Sequence, residues 1–127
     1  MRTNFQRLRI YELSELLADE AWMIVGTWDR FAKDTLGGQL VRSADSVGAN
    51  IAEGTGRGSL PDNRRFARIA RGSLSELQHW LRRAHQRGLL SNDQVDKLKP
   101  LIDELAPKLN AYLRSIDQRI NNKQNTD

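Results

Sequence analysis

The stretch SVGANIAEGTGRGS, residues 46–59, gathers four glycines around one carboxylate, Glu53, and one guanidinium, Arg57. Glycine-rich loops bind phosphate in nucleotide-using enzymes, because their backbone N–H groups converge on the anion. Such loops follow a strand and have fixed spacings, GxxxxGK before Ser or Thr, or GxGxxG. Here the spacing is GTGRG, no lysine follows, and apolar periodicity makes the preceding segment helical. The stretch therefore predicts a joint between two helices, with Gly54 ending the first of them.

The segment after this joint is strongly basic, since residues 57–87 hold eight arginines and only two acidic residues. On a helix that turns about 100° per residue, six side chains fall within about 80° of one another, away from the apolar stripe: Arg64, Arg68, Arg71, Ser75, His79 and Arg82. Guanidinium groups bind phosphate bidentately, and a basic helix face is typical of nucleic-acid-binding proteins. The candidate nucleic-acid contacts are Arg57, Arg64, Arg65, Arg68, Arg71, Arg82 and Arg83.

A different interpretation of this basic stripe stays open. The stripe contains no aromatic side chain on which single-stranded bases stack. In this alternative interpretation, the arginines of the stripe form a solvated face or pair with acidic residues of a neighbouring subunit.

Glu76 and His79 have the E-x-x-H spacing with which di-iron bundles present two ligands from one helix. Such sites need a second motif of this kind and further glutamates, whereas Arg82 stands three residues before the other histidine, His85. The chain has no cysteine, and no serine, histidine and carboxylate have a spacing that suggests a catalytic set. We therefore predict no enzyme activity, no cofactor and no metal.

Polar residues flank the glycine-rich joint on both sides. Glu53 is expected to pair with Arg71 across it, and the pair would fix the two helices relative to each other. The predicted structural joint comprises Asn50, Glu53, Gly54, Arg71, Gly72 and Ser73. A ligand site built from the same polar residues is the alternative.

Helices must position all of these side chains, because apolar residues recur at spacings of three and four and strand patterns are nearly absent. The predicted helical segments cover about residues 6–28, 35–53, 60–87 and 92–117. Ser59 and Ser91 are expected N-caps, and Gly88 is expected to follow the third helix. Pro100 and Pro107 are expected to kink the fourth helix without ending it, since its apolar seam continues in register. Short connections predict an all-α fold, an antiparallel up-and-down four-helix bundle.

The composition sets the limits of this prediction. A chain of 127 residues has the length of one domain, which we place at residues 1–117, and the polar segment 118–127 is expected to be a disordered tail. The net charge of +4 permits an anionic partner. No apolar run approaches the roughly 20 residues that span a bilayer, and cysteine is absent, so we expect a cytoplasmic protein without a membrane partner.

Four stretches of the sequence resemble the bacterial four-helix bundle proteins of the rRNA intervening-sequence family. They are FQRLRIYELSELL (5–17), LGGQLVRSADSV (36–47), SVGANIAEGTGR (46–57) and FARIARGSLSELQHWL (66–81). The resemblance implies a four-helix bundle, a ring-shaped homo-oligomer that is a pentamer, and a role with nucleic acid. The sequence is also distantly similar to the accessory proteins of diversity-generating retroelements. It departs from the family pattern at Tyr11, where tryptophan is usual, and at the two prolines.

The first helix carries a second apolar face in addition to its core stripe. A second face of this kind is typical of a partner surface, and aromatic residues are enriched there. Burial of the helix on two sides within its own bundle is the alternative. The predicted oligomer interface consists of Tyr11, Ala18, Trp22 and Val25.

Together these features predict a non-enzymatic oligomeric scaffold that binds RNA or DNA phosphates through the arginine-rich face of the third helix. The alternative function is a protein-interaction adaptor whose ring docks a partner protein without binding nucleic acid directly.

Overall fold

The computed structural model describes residues 8–125 of the chain. Its helices are α1 Arg9–Gly26, α2 Arg30–Ala32, α3 Gly38–Thr55, α4 Leu60–Gln86 and α5 Asn92–Asn125, with a π-helical turn at Lys33–Gly37 between α2 and α3. These residues include no strand, which confirms the all-α prediction. Within the same range, no helix is both long and apolar enough to cross a membrane.

The four long helices, α1, α3, α4 and α5, form a four-helix bundle, as predicted. α3 packs against α1 and α4, and α5 packs against α4 and α1, so that α1 and α4 occupy opposite corners. Arg9 of α1 binds Glu104 of α5 bidentately, at 2.8 and 3.0 Å. The hydrogen bond from Arg9 is the main reason why the pKa of the Glu104 carboxyl is lowered.

The core lies where the predicted apolar stripes meet. Leu13 of α1, Leu77 of α4 and Leu105 of α5 are 0% exposed. Not every large apolar side chain of α4 is buried, since Ile69 is 43% exposed whereas Ala67 is 1% exposed. Ala67 packs beneath α5, where a small side chain allows the two helices to approach.

The second helical segment begins at Arg30, earlier than predicted. Asp29 is the start signal that was missed, since its Oδ1 accepts a hydrogen bond from the Ala32 N–H at 2.9 Å. The π-helical turn that follows brings Gly37 against α1. A Cβ on Gly37 would lie only 2.7 Å from Val25 Cγ1, so the turn depends on a glycine at this position.

The connections on either side of α4 have the predicted local chemistry. Ser59 Oγ accepts a hydrogen bond from the Asp62 N–H at 3.2 Å and caps α4. Ser91 and Gln94 exchange side-chain-to-backbone bonds of 2.9 and 3.1 Å, a capping box at the start of α5. Gly88 has a φ of +75°, the left-handed conformation expected just after a helix.

α5 is one continuous helix through Pro100 and Pro107. Both prolines lie on its exposed side. Each removes one intrahelical hydrogen bond, and water can reach the carbonyl group that loses its partner. The predicted continuity of this helix is therefore confirmed.

The helix continues past residue 117, so the expected disordered tail is wrong for residues 118–125. Ile120 is only 9% exposed and packs in a cluster with Ala67, Leu113 and Ile116. Burial of the Ile120 side chain stabilises the helical turns after residue 117, although most residues around it are polar. Residues 126–127 of the expected tail, and residues 6–7 of the first predicted helix, lie outside the described residues.

Candidate nucleic-acid interface

Gly54 lets α3 and α4 approach each other closely. A Cβ on Gly54 would lie 2.7 Å from Asn63 Oδ1 and 3.0 Å from Phe66 Cβ, both on α4. Asn63 in turn donates a hydrogen bond from Nδ2 to Tyr112 Oη of α5 at 3.0 Å. Because Gly54 has no side chain, the first turns of α4 can pack closely against α3 while Asn63 contacts α5.

Asn50 and Ser73 are joined through Ser46, a residue that is not among the predicted ones. Asn50 Nδ2 donates to Ser46 O at 2.8 Å and to Ser46 Oγ at 2.9 Å. The hydroxyl oxygens of Ser46 and Ser73 are 2.9 Å apart, and Ser73 is only 9% exposed. This hydrogen-bond chain links α3 to α4. The spacing of four between Ser46 and Asn50 is the sequence signal that could have found it.

The predicted pair between Glu53 and Arg71 is wrong. Glu53 Oε1 lies 2.7 Å from Arg57 Nη2, four residues further along the chain. Arg71 lies on the α5 side of its helix and donates a long hydrogen bond of 3.5 Å to Asn110 Oδ1. Gly72 is exposed, with open space where a Cβ would stand, so it takes no part in the helix contact.

The Ser46–Ser73 contact gives a direct test of the joint. Ser46→Ala removes a partner from both Asn50 and Ser73, and we expect the free energy of unfolding to fall by about 1 to 3 kcal/mol. A double-mutant cycle with Ser73→Ala, measured by denaturant unfolding, should give a clear coupling energy. Ser75→Ala, an exposed change on the same helix, should alter stability by less than about 0.5 kcal/mol. Coupling no larger than with Ser75 would contradict the hydrogen-bond chain.

Arg64 and Arg71 connect α4 to α5 and do not project freely. Arg64 Nη1 lies 3.3 Å from Asp117 Oδ1, and the Arg64 side chain is 32% exposed. The two arginines lie on the edge of the predicted stripe that faces α5, where their long side chains reach the neighbouring helix. Part of the positive charge of the stripe is therefore balanced within the subunit.

Arg57 and Arg65 both lie over the ring of Phe66. Their guanidinium carbons are 5.0 and 4.4 Å from the ring centroid. Glu53 pairs with Arg57, and Asp62 Oδ1 lies 3.9 Å from Arg65 Nη2. The aromatic contact orients two guanidinium groups beside the joint, while both side chains keep about half of their exposure.

Three arginines surround a shallow surface depression of about 500 Å³ at the start of α4. Its lining consists of Pro61, Arg64, Arg65, Arg68 and Ile69. Arg68 is exposed and forms no ion pair with any residue of the described range 8–125. We call Arg57, Arg64, Arg65 and Arg68 the arginine cluster, because the Phe66 contacts place Arg57 next to Arg65.

Arg82 and Arg83 lie apart from the arginine cluster. Arg82 follows Arg68 by fourteen residues on the same helix, which corresponds to about 21 Å along its axis. It lines a different surface feature, a groove between α4 and α5. Arg83 Nη1 donates to Gln86 Oε1 at 2.6 Å. The structure thus does not bring all of the predicted arginines together at one site.

Glu76 and His79 both contact Trp80. Glu76 Oε1 accepts a hydrogen bond from Trp80 Nε1 at 3.2 Å, and the His79 ring stacks edge-on against Trp80 with centroids 4.8 Å apart. Among the described residues, no group of three or more His, Cys, Asp or Glu side chains is arranged to hold a metal ion.

Comparison with known proteins places the chain in a family. The family model for the 23S rRNA-intervening sequence protein matches residues 6–111. The chain belongs to this family. A crystal structure of a protein of unknown function from the S23 ribosomal protein family of Bacteroides thetaiotaomicron has a similar fold, with a TM-score of 0.72 at 20% identity, covering 82% of this chain and 97% of that one. At this identity the likeness concerns the fold alone. No curated protein matches the sequence.

In this intervening-sequence protein, the second apolar face of α1 is only partly exposed. Trp22 is 68% exposed, whereas Tyr11 and Ala18 are half-buried between α1 and α3. Val25 is 8% exposed and packs beside Gly37, so it belongs to the core of the subunit rather than to an outer surface. Two further large apolar side chains are exposed nearby and were not predicted: Met23 and Phe31.

Proposed function

We propose that this intervening-sequence protein is a non-enzymatic, self-associating scaffold that binds the phosphates of RNA or DNA through the arginine cluster. The observation that carries the proposal is the exposed depression bordered by Arg64, Arg65 and Arg68. Its surroundings are also positive: residues 56–125 contain fourteen basic and seven acidic residues, whereas residues 8–55 contain four and eight. The positive charge is thus concentrated on the half of the bundle formed by α4 and α5.

The chemistry of the arginine cluster favours contacts with the nucleic-acid backbone over base recognition. Guanidinium groups match phosphate oxygens bidentately, and the Phe66 ring holds two of them in a fixed orientation. Arg57 and Arg65 already contact the same ring, which therefore has less surface open to stacking by a base. We therefore expect binding that depends on charge and salt and varies little between sequences.

Self-association is the second part of the proposal. Trp22 and Met23 are neighbours on α1 and expose large apolar side chains at about two thirds of their full area, which favours a partner surface there. The family resemblance implies a ring of five copies. Such a ring repeats the arginine cluster on every subunit, and several weak phosphate contacts then act together on one nucleic acid.

A salt titration with a charge-matched control tests the nucleic-acid contacts. Arg65 and Arg68 are replaced together by glutamine, because Arg64 is already paired with Asp117. The control replaces Arg30 and Arg42, which are exposed on the other half of the bundle and change the net charge equally. Affinity for unrelated RNA and DNA duplexes is measured by fluorescence anisotropy at several salt concentrations. The cluster variant should flatten the log–log salt dependence by about 1.8 units, about 0.9 for each lost phosphate contact.

The outcomes of this titration separate two functions. A flattened slope in the cluster variant, with a wild-type slope in the Arg30 and Arg42 control, supports phosphate binding by the cluster. If the wild-type protein binds no nucleic acid at low salt, the protein-interaction adaptor replaces the nucleic-acid scaffold as the proposed function. Equal slopes for both double variants would show that only net charge matters and that the arginine cluster is not the binding site.

A further inference from the structure

A surface depression lies beside Trp22, between the last turn of α1 and the first turn of α3. Its volume is about 430 Å³, and the Trp22 indole on its border is 68% exposed. Val25 and Val41 supply further apolar lining, and three lining residues contribute no side chain: Gly26, Gly37 and Gly38. Because these glycines leave space next to the ring, a flat ligand has room to lie against the indole. We call this feature the Trp22 depression.

Two cations line the Trp22 depression: Lys33 from the π-helical turn and Arg42 from α3. Both side chains are exposed, and neither forms an ion pair or a side-chain hydrogen bond with a residue of the described range 8–125. Arg42 bends back along α3, since its Nη1 lies 3.3 Å from where a Cβ on Gly38 would stand. No carboxylate of the same range lines the depression, whereas Asp19 and Asp45 line a separate one further along the α1–α3 surface. The Trp22 depression thus combines an aromatic wall with positive charge.

A nucleotide with an unpaired base matches this combination. Base faces are flat and stack on aromatic side chains whatever the sequence, and the phosphate beside each base binds lysine and arginine. In a duplex, neighbouring base pairs already cover both faces of each base, so only an unpaired base has a face free for the indole. The arginine cluster offers less of this contact, because Arg57 and Arg65 already lie over the ring beside them, Phe66. The Trp22 depression therefore suits a single strand.

We infer that the Trp22 depression binds an unpaired nucleotide of single-stranded RNA or DNA, with the base against the indole and the phosphate at Lys33 and Arg42. The inference goes beyond the proposed function, because it concerns a second site. The Trp22 depression lies at the start of α3 and the arginine cluster lies beyond its end, and α3 has 18 residues, a length of about 27 Å. The two sites share no residue, so each can be tested without the other.

The Trp22 depression leaves another side of α1 for the self-association proposed above. Met23 follows Trp22 by one residue and is therefore turned by about 100° around the helix. Leu16, seven residues before Met23, lies on the same side as Met23 and is 49% exposed. The side of α1 with Leu16 and Met23 can thus contact a second copy with the Trp22 depression left open.

Replacement of Trp22 tests the stacking contact. The probe is a fluorescein-labelled oligothymidylate of about eight nucleotides, which forms no duplex with itself. Trp22→Ala should weaken its binding about 5- to 100-fold, as for one stacking aromatic residue, whereas Trp22→Phe should keep most of the affinity. Phe31→Ala is the matched control, since Phe31 is 69% exposed and does not line the depression. Unlabelled oligothymidylate should quench the indole fluorescence of the wild-type protein but not that of Trp22→Phe, because the remaining tryptophans lie outside the depression.

Two single arginine substitutions test the phosphate contact. Arg42→Gln removes a cation that lines the depression, and Arg30→Gln removes an exposed one outside it, 3.6 Å from Asp34 Oδ2. Arg42→Gln should weaken oligothymidylate binding and flatten its log–log salt dependence by about 0.7 units, the value for one phosphate of a single strand, while Arg30→Gln should keep the wild-type slope. Duplexes offer no unpaired base, so Arg42 remains a valid control position in the salt titration of the arginine cluster.

Several outcomes would overturn the inference. Equal losses for Trp22→Ala and Phe31→Ala, or an abasic oligomer that binds as tightly as oligothymidylate, would show that no base stacks on Trp22. Thymidine monophosphate that binds as tightly as the oligomer would indicate a site for free nucleotides. If Trp22→Ala lowers the mass of the assembly in light scattering, a second copy covers the depression in the wild-type protein. Loss of binding to phosphatidylserine vesicles, with oligothymidylate binding unchanged, would make this surface a lipid contact. A failed duplex titration contradicts the arginine cluster alone, since the probe here is single-stranded.

Discussion

Replacing Trp28 with alanine is expected to lower the free energy of unfolding by about 3 to 5 kcal/mol. Trp28 is 7% exposed between the end of α1 and the start of α2. Its indole Nε1 donates a hydrogen bond of 3.0 Å to Leu89 O, in the connection between α4 and α5. The Trp28 side chain therefore links the α1–α2 connection to the α4–α5 connection at this end of the bundle. Guanidinium unfolding at one fixed protein concentration measures the loss without a contribution from changed association.

Two control variants separate the contributions of Trp28. Trp28→Phe keeps most of the buried area but leaves Leu89 O without its donor, so about 1 to 3 kcal/mol of the loss should remain. Phe31→Ala removes a large aromatic side chain that is 69% exposed only three residues away, and stability should change by less than about 0.5 kcal/mol. Similar losses for Trp28→Ala and Phe31→Ala would show that Trp28 does not fasten the bundle end.

The positions of the long helices could be predicted because their signals are local. Apolar residues recur at helical spacing up to Trp28 in the first segment and through Leu98 and Leu105 in the last, and these three residues are buried. The start at Arg30 was missed, because the apolar stripe of that segment begins only at Leu36 and the one signal before it is the cap at Asp29.

The end of α5 shows where composition misleads. Residues 118–127 are polar on average, and an average does not register one isoleucine at helical spacing from Leu113 and Ile116. Ile120 lies four residues after Ile116, so it falls on the buried side of α5 and packs near Ala67 of α4. The partner surface on α4 belongs to a distant part of the sequence, which is why the local composition could not reveal it.

The candidate site was predicted as a helix face but not as a set of contacts. Periodicity places Arg64, Arg68 and Arg82 on one side of α4. The residue that each arginine contacts depends on which side chains of the neighbouring helices lie opposite it. Arg64 meets Asp117, which is 53 residues away in the sequence. The expected Glu53–Arg71 pair failed because the rotation of α4 against α3 is a tertiary property, whereas the spacing of four between Glu53 and Arg57 is a local signal for the pair that forms.

Replacing Gly54 with alanine is expected to lower the free energy of unfolding by about 1 to 3 kcal/mol, the usual cost of overpacking. The added Cβ would stand 2.7 Å from Asn63 Oδ1 and 3.2 Å from the Asn63 carbonyl oxygen, which is backbone and cannot turn aside. Moving Asn63 also disturbs its hydrogen bond with Tyr112. Thermal unfolding followed by circular dichroism measures the effect.

Gly72→Ala is the matched control, because it adds the same methyl group to a helix position with open space around it. Alanine is the better helix former, so this variant should gain about 0.5 to 1 kcal/mol and differ from Gly54→Ala by about 1.5 to 4 kcal/mol. Gly54→Ala should also weaken nucleic-acid binding, since the Cβ presses on Phe66, which orients Arg57 and Arg65. A Gly54→Ala protein as stable as Gly72→Ala would show that α3 and α4 do not need this close approach. Unchanged nucleic-acid binding in a destabilised Gly54→Ala protein would show that binding by the arginine cluster does not depend on the helix joint.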